Sequence, residues 1–117
     1  MRGGREKQAL LALCDSRLDL YERKWQREGD RDRETLSLAA EDLPCAVCRL
    51  ERQEPDRGDA ALLRFTVRIL TLPDAPLREG MKLRVRRDRE VRWYITCGMP
   101  VRYSSHLEVE AALFDWA

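Results

Sequence analysis

In ALLRFTVRILTL, residues 61–72, Leu63, Phe65, Val67 and Ile69 alternate with Arg64, Thr66 and Arg68. Successive side chains on a strand point to opposite faces, so this run offers one face to a core and the other to water. A helix would scatter the same apolar residues around its circumference. A strand of this kind must pair with others, and the same period recurs along the chain. In RLDLYERKW, Leu18 and Leu20 alternate with Arg17, Asp19 and Tyr21. MKLRVRRDREVRWYIT reads as a hairpin around Asp88 and Arg89, with Leu83 and Val85 on one arm and Val91, Trp93 and Ile95 on the other sharing the inner face. In VRYSSHLEVEAAL, the alternation sets Val101, Tyr103, Leu107, Val109 and Ala111 inward and Arg102, His106, Glu108 and Glu110 outward.

With CAVCRLERQ after Pro44, these runs give expected strands over 17–25, 45–52, 62–72, 81–87, 90–97 and 101–112. EPDRGD at 54–59, PDAPLREG at 73–80, and Gly98 with Pro100 supply the turns between them. Two segments fall outside this pattern. REKQALLALC is rich in helix formers, with Leu10, Leu13 and Cys14 at helical spacing, which predicts a short N-terminal helix over 1–15. QREGDRDRETLSLAAED, residues 26–42, is charged, contains a glycine and has no apolar period until Leu36 and Leu38, so it reads as a long loop. Loops of that length in compact domains are usually functional or mobile. The 117 residues fit one domain. The expected fold is mainly β, a small antiparallel β-barrel or sandwich of about six strands, with one short N-terminal helix and a long loop after the first strand.

Hydrophobic residues make up 44% of the chain and charged residues 37%, enough for a core under a dense ionic surface. Lys and Arg number 22 against 21 Asp and Glu, so the net charge is +1 and any electrostatic function must be local. No apolar run approaches the roughly 18 residues that cross a bilayer, and the start is too short in apolar residues for a signal peptide. The expectation is a chain made and kept in a cytoplasm, with no membrane partner and its four cysteines reduced.

Catalytic patterns are absent: the sequence holds neither a serine-nucleophile motif nor a glycine-rich phosphate loop. The lone histidine, His106, lies in the outward register beside Glu108 and is assigned no role. CAVC places Cys45 and Cys48 three residues apart, on opposite faces of a strand, where they cannot grip one metal ion. Cys48 shares the register of Ala46 and Leu50 and is expected in the core, with Cys45 more exposed. No metal or cofactor is expected.

Charge provides the remaining signal. Lys82, Arg84, Arg86 and Arg92 are expected to share the outward face of the 82–92 hairpin, with Arg87 and Arg89 at its tip, a basic ribbon able to meet phosphates or an acidic partner. Glu108 and Glu110 give the last strand an acidic face. The two faces could pair within the chain, or between chains in a head-to-tail ring.

The order of these elements, with RLDLYERKW, a long charged loop, CAVCRLE, RFTVRILTL, LREGMKLRV, VRWYITCG and HLEVEA, resembles the small head-to-tail joining proteins of long-tailed bacteriophages, also called head closure, stopper or minor capsid proteins. The resemblance runs from about Ser16 to Leu113. It implies a virion protein that is not an enzyme and forms rings beneath the portal, keeping packaged DNA in the head and receiving the tail. Its partners would be other copies of itself, portal or adaptor proteins and tail proteins, with packaged DNA nearby. The resemblance likens residues 26–42 to a segment that projects toward the central channel, making Glu28, Asp30, Arg31, Asp32, Arg33 and Glu34 interface or channel-facing candidates. Their mixed sign departs from what simple attraction or repulsion of DNA would require. The alternative is a small β-barrel that binds nucleic acid through the basic hairpin 82–92.

Overall fold

The computed structural model describes residues 12–49 and 66–114. Among them, seven strands form one antiparallel sheet: β1 (Ser16–Glu28), β2 (Arg31–Arg49), β3 (Thr66–Thr71), β4 (Lys82–Arg87), β5 (Glu90–Thr96), β6 (Val101–Arg102) and β7 (Leu107–Leu113). The order is β3-β2-β1-β4-β5-β7-β6, and β3 pairs with β7 as well, from Thr66 opposite Ala112 to Thr71 opposite Leu107. The pairings of six strands therefore return to their start, and β6 extends along β7 past the end of β5.

The inward residues fill this circuit. Leu18, Leu20, Cys45, Val67, Ile69, Leu83, Val85, Tyr94, Leu107, Val109 and Ala111 form one buried cluster. The loop after β3 adds Ala75, Leu77 and Met81 to it, sealing one end. Arg102 straps that loop by donating to the carbonyls of Pro73 and, at 3.0 Å, Ala75. The other end opens into a cleft of about 670 Å³, whose apolar lining includes Val47, Val67, Val85 and Tyr94, with Asp15, Arg87, Glu90 and Arg92 beside them.

The strands depart from the sequence expectation at several points. The long loop over 26–42 is instead most of a β-hairpin, because β1 and β2 continue outward to a two-residue turn at Gly29 and Asp30, closed by Glu28 opposite Arg31. Gly29 has φ +62°, the left-handed geometry that glycine adopts without strain at the first position of such turns. The segment carries no period of two because water reaches both of its faces. The turn itself was legible, since Gly-Asp between extended segments is a hairpin signal.

In the second hairpin the inner face of β5 is Tyr94 and Thr96, while Val91 is exposed and Trp93 and Ile95 are half-buried. The turn at Asp88 and Arg89 sets Arg87 opposite Glu90, so Val85 faces Arg92 and Leu83 faces Tyr94. Residues opposite one another share a face, so Arg92 belongs to the inward register, apart from Lys82, Arg84 and Arg86.

The strand expected over 101–112 is a small hairpin of β6 and β7, turning at Ser104 and Ser105, with the Tyr103 N–H donating to the His106 carbonyl at 2.8 Å. Val101 and Tyr103 are consequently exposed, whereas Leu107, Val109 and Ala111 are buried as expected. Of the helix expected over 1–15, residues 1–11 lie outside the described residues; Ala12 and Leu13 have helical backbone, too short to count as a helix among the described residues, and Cys14 and Asp15 lead into β1. The turn expected at 54–59, with Leu63 and Phe65, also lies outside the described residues.

Candidate functional site

β1 pairs with β4 only from Arg17 to Tyr21, and β2 pairs with β3 only from Cys45 onward. Beyond these points β1 and β2 pair with each other alone among the described residues, through seven pairs from Glu22 opposite Ser37 to Glu28 opposite Arg31. At roughly 3.3 Å a residue, this two-stranded ribbon extends roughly 20 Å past the sheet. Two register shifts, between Leu18 and Leu20 and between Leu20 and Tyr21, lie at its root. Such bulges bend and twist a strand.

Cross-strand pairing defines the ribbon's faces. Tyr21, Arg23, Trp25, Leu36 and Leu38 share one, with Glu34; Glu22, Lys24, Glu28, Arg31 and Arg33 share the other. The root is anchored. Tyr21 packs on Trp93 with ring centroids 5.3 Å apart, and Glu22 pairs with Arg78 of the sealing loop. Glu34 accepts from Arg23 Nε at 2.8 Å and lies 2.9 Å from Nζ of Lys82, itself buried with the Phe114 ring 4.7 Å from its ammonium. Hydrogen bonds from Arg23 and Lys82 hold the Glu34 carboxyl below its ordinary range. Of the six channel-facing candidates, Glu34 is thus committed to the root. Glu28, Asp30, Arg31, Asp32 and Arg33 lie exposed at the tip, where Glu28 and Arg33 approach to 3.7 Å.

The expected basic face is largely matched by acids of the same chain. Asp19 is buried, its side chain 5% exposed, and accepts from Arg86 through both carboxylate oxygens at 3.1 Å and from the Asp42 N–H at 2.9 Å. Arg84 lies 3.6 Å from Asp19, and Asp42 takes a further contact from Arg86 at 3.2 Å. Arg87 reaches Asp15 at 3.3 Å and Arg92 reaches Glu90 at 3.5 Å, while Arg89 is exposed at the turn. The acids matching Arg84, Arg86 and Lys82 come from β1 and β2 rather than from β7. Glu108 instead lies 2.9 Å from His106 Nε2 and 3.8 Å from Arg68, and Glu110 is exposed opposite Arg68. His106 is more enclosed than expected: Ser105 Oγ lies 2.7 Å from its Nδ1, and Tyr103 stacks on its ring at 4.8 Å.

Cys45 and Cys48 occupy opposite faces, but in the reverse of the expected assignment: Cys45 is in the core and Cys48 is exposed. Leu43 lies opposite buried Leu18 and Cys45 opposite buried Ser16, so the inward series on β2 is Leu43, Cys45 and Val47, and Cys48 falls on the other face. Burial pushes the Cys45 thiol up to about 12. The unfolded thiol ionises near its ordinary value of 9.0, so this contribution to stability is whole below pH 9 and is lost as pH rises toward 12. Cys45→Ala should flatten the fall in urea midpoint between pH 9 and 11; an unchanged slope would refute that assignment. Among the described residues, no group of three or more His, Cys, Asp or Glu could hold a metal ion, and no helix is long and apolar enough to cross a membrane.

The fold and its surface define an antiparallel β protein with a projecting two-stranded arm. Comparison with protein-family models, curated proteins and solved structures finds no match to this chain.

Proposed function

We propose that this chain is a structural virion protein, a head-to-tail connector or head closure subunit of a long-tailed bacteriophage. It assembles as a ring beneath the portal, helps retain packaged DNA and attaches the tail, without catalysis. In this reading the closed circuit of strands is a small barrel, made in the bacterial cytoplasm and incorporated into the virion beside portal or adaptor and tail proteins. The observation that carries the proposal is the ribbon: a two-stranded arm with exposed Trp25 reaches beyond the body that anchors it. Two-stranded hairpins are marginal in water, and an arm of this kind gains stability by meeting another surface.

The nucleic-acid alternative requires available cations on the 82–92 hairpin. Lys82, Arg84, Arg86, Arg87 and Arg92 already lie against carboxylates, which weakens that reading. The test uses DNA-filled, portal-bearing heads that lack this protein. Added protein is expected to bind them, slow DNA loss and permit tail joining. Failure to bind, together with normal maturation of particles lacking the protein, would remove the proposal. Binding to free DNA that weakens steeply with salt and is lost on Arg84→Glu with Arg86→Glu would favour the alternative instead.

A further inference from the structure

A second exposed apolar segment lies away from the ribbon. Met99, Val101 and Tyr103 are 78%, 50% and 49% exposed, on and beside the short strand β6. In the strand circuit, the β1–β2 junction and the β5–β7 junction are separated by β4 on one side and β3 on the other. The ribbon leaves from the first junction and residues 97–103 follow the second, so the two apolar surfaces belong to different junctions of the circuit. On the ribbon, Trp25 is 62% exposed beneath the Arg23 guanidinium, 5.7 Å from its ring centroid, and Leu38 is 47% exposed on the same face.

We infer that the ribbon of one subunit seats its Trp25 and Leu38 face on residues 99–103 of a second copy of this chain, head to tail. A two-fold dimer would join one patch to itself, whereas two different patches propagate from copy to copy and close into a ring when the rotation permits. Backbone pairing supports the same occupant. β6 pairs with β7 along one edge through Val101 and Arg102, while the distal ribbon presents edges from Glu22 to Glu28 and along the start of β2 that pair with no third strand among the described residues. Extended edges of this kind accept another strand.

Charge fits as well. The ribbon tip and the body both carry interspersed acids and bases, so a second copy meets no block of like charge. A contact made by one narrow ribbon falls below the roughly 1,200 Å² of stable complexes, so single contacts are weak and a ring forms when many close together. The ring's place in a virion rests on the function proposed above; the contact between copies rests on the two patches.

The test places benzoylphenylalanine at position 25 of the full chain, mixes that chain with isotope-labelled wild type and irradiates at rising concentration. The expected products are a ladder of dimers, trimers and higher species, with links to residues 99–103 of the labelled chain. Dimers linked ribbon to ribbon, or no links between chains at any concentration, would overturn the inference. In sedimentation, Trp25→Ser and Val101→Ser, both at exposed positions, should each weaken self-association more than about tenfold with the fold intact by circular dichroism. Undiminished association would count against the surface. If wild type joins portal-bearing heads and Trp25→Ser joins them equally well, this interface fails while the virion reading stands. If wild type joins no heads but forms the ladder, the interface stands and the virion reading fails.

Discussion

Leu20→Ala is expected to lower the free energy of unfolding by about 3 kcal/mol, a cost set by the lost transfer of the side chain from water and by the cavity left behind. Leu20 has no exposed surface and sits opposite Leu83 on β4 and Ala40 on β2, where the circuit meets its sealing loop. The matched control is Leu38→Ala, on the same pair of strands but half-exposed on the ribbon, where the cost should stay within about 1 kcal/mol. Urea midpoints of the two variants measure the contrast. Equal losses would show that the core does not lie inside the circuit.

The second large effect belongs to Asp19. Asp19→Ala removes the acceptor shared by Arg86 and the Asp42 N–H and leaves Arg84 facing an apolar side chain. Hydrogen bonds to charged groups are worth more than neutral ones, but Arg84 and Arg86 are partly solvated and water screens their loss, which gives a cost of about 2 kcal/mol. Asp19→Asn keeps an oxygen for the Asp42 N–H and should recover part of that. Asp42 has φ +56°, a left-handed backbone within the bulge, and the Asp19 carboxylate is one of the contacts that hold it there. The amide of Asp42 should therefore exchange with solvent much faster in Asp19→Ala than in wild type. Unchanged protection would mean that the bulge stands without its acceptor.

The parts of the fold that were legible in the sequence are those with one wet face and one dry face. Val67 and Ile69 announced β3, Leu18 and Leu20 announced the root of β1, and Leu107, Val109 and Ala111 announced β7; all are buried. The ribbon was not legible by the same rule because neither of its faces is fully dry. Its only local sign was Gly29 followed by Asp30. The β5 register depended on the number of residues in the turn rather than on hydrophobicity: Val91, Trp93 and Ile95 look more apolar than Arg92, Tyr94 and Thr96, yet a two-residue turn sets the less apolar series opposite Leu83 and Val85. On β2 the pairing partner decided in the same way: Leu43 opposite Leu18 and Cys45 opposite Ser16 put that series inside, which exchanged the roles of Cys45 and Cys48.

At the candidate site, the exposed tip charges could be listed from sequence, but their surroundings could not. Asp19 looked like one more wet acid in an alternating strand; only the approach of β4, 67 residues away in sequence to Arg86, makes it the acceptor at the centre of a cluster. Trp25 and the 99–103 segment gave no signal, since an exposed aromatic in a charged stretch and a short turn look ordinary until their positions on the sheet are known.

The way the ribbon joins the body also determines how the molecule bears load. Both of its strands run without interruption into the closed circuit, β1 against β4 and β2 against β3, so a pull along the arm acts lengthwise on those ladders. Their hydrogen bonds must then slide past one another together, whereas a sideways pull would open them one at a time. The arm therefore resists tension along its own axis and yields to peeling, so the direction of a pull decides how firmly it holds.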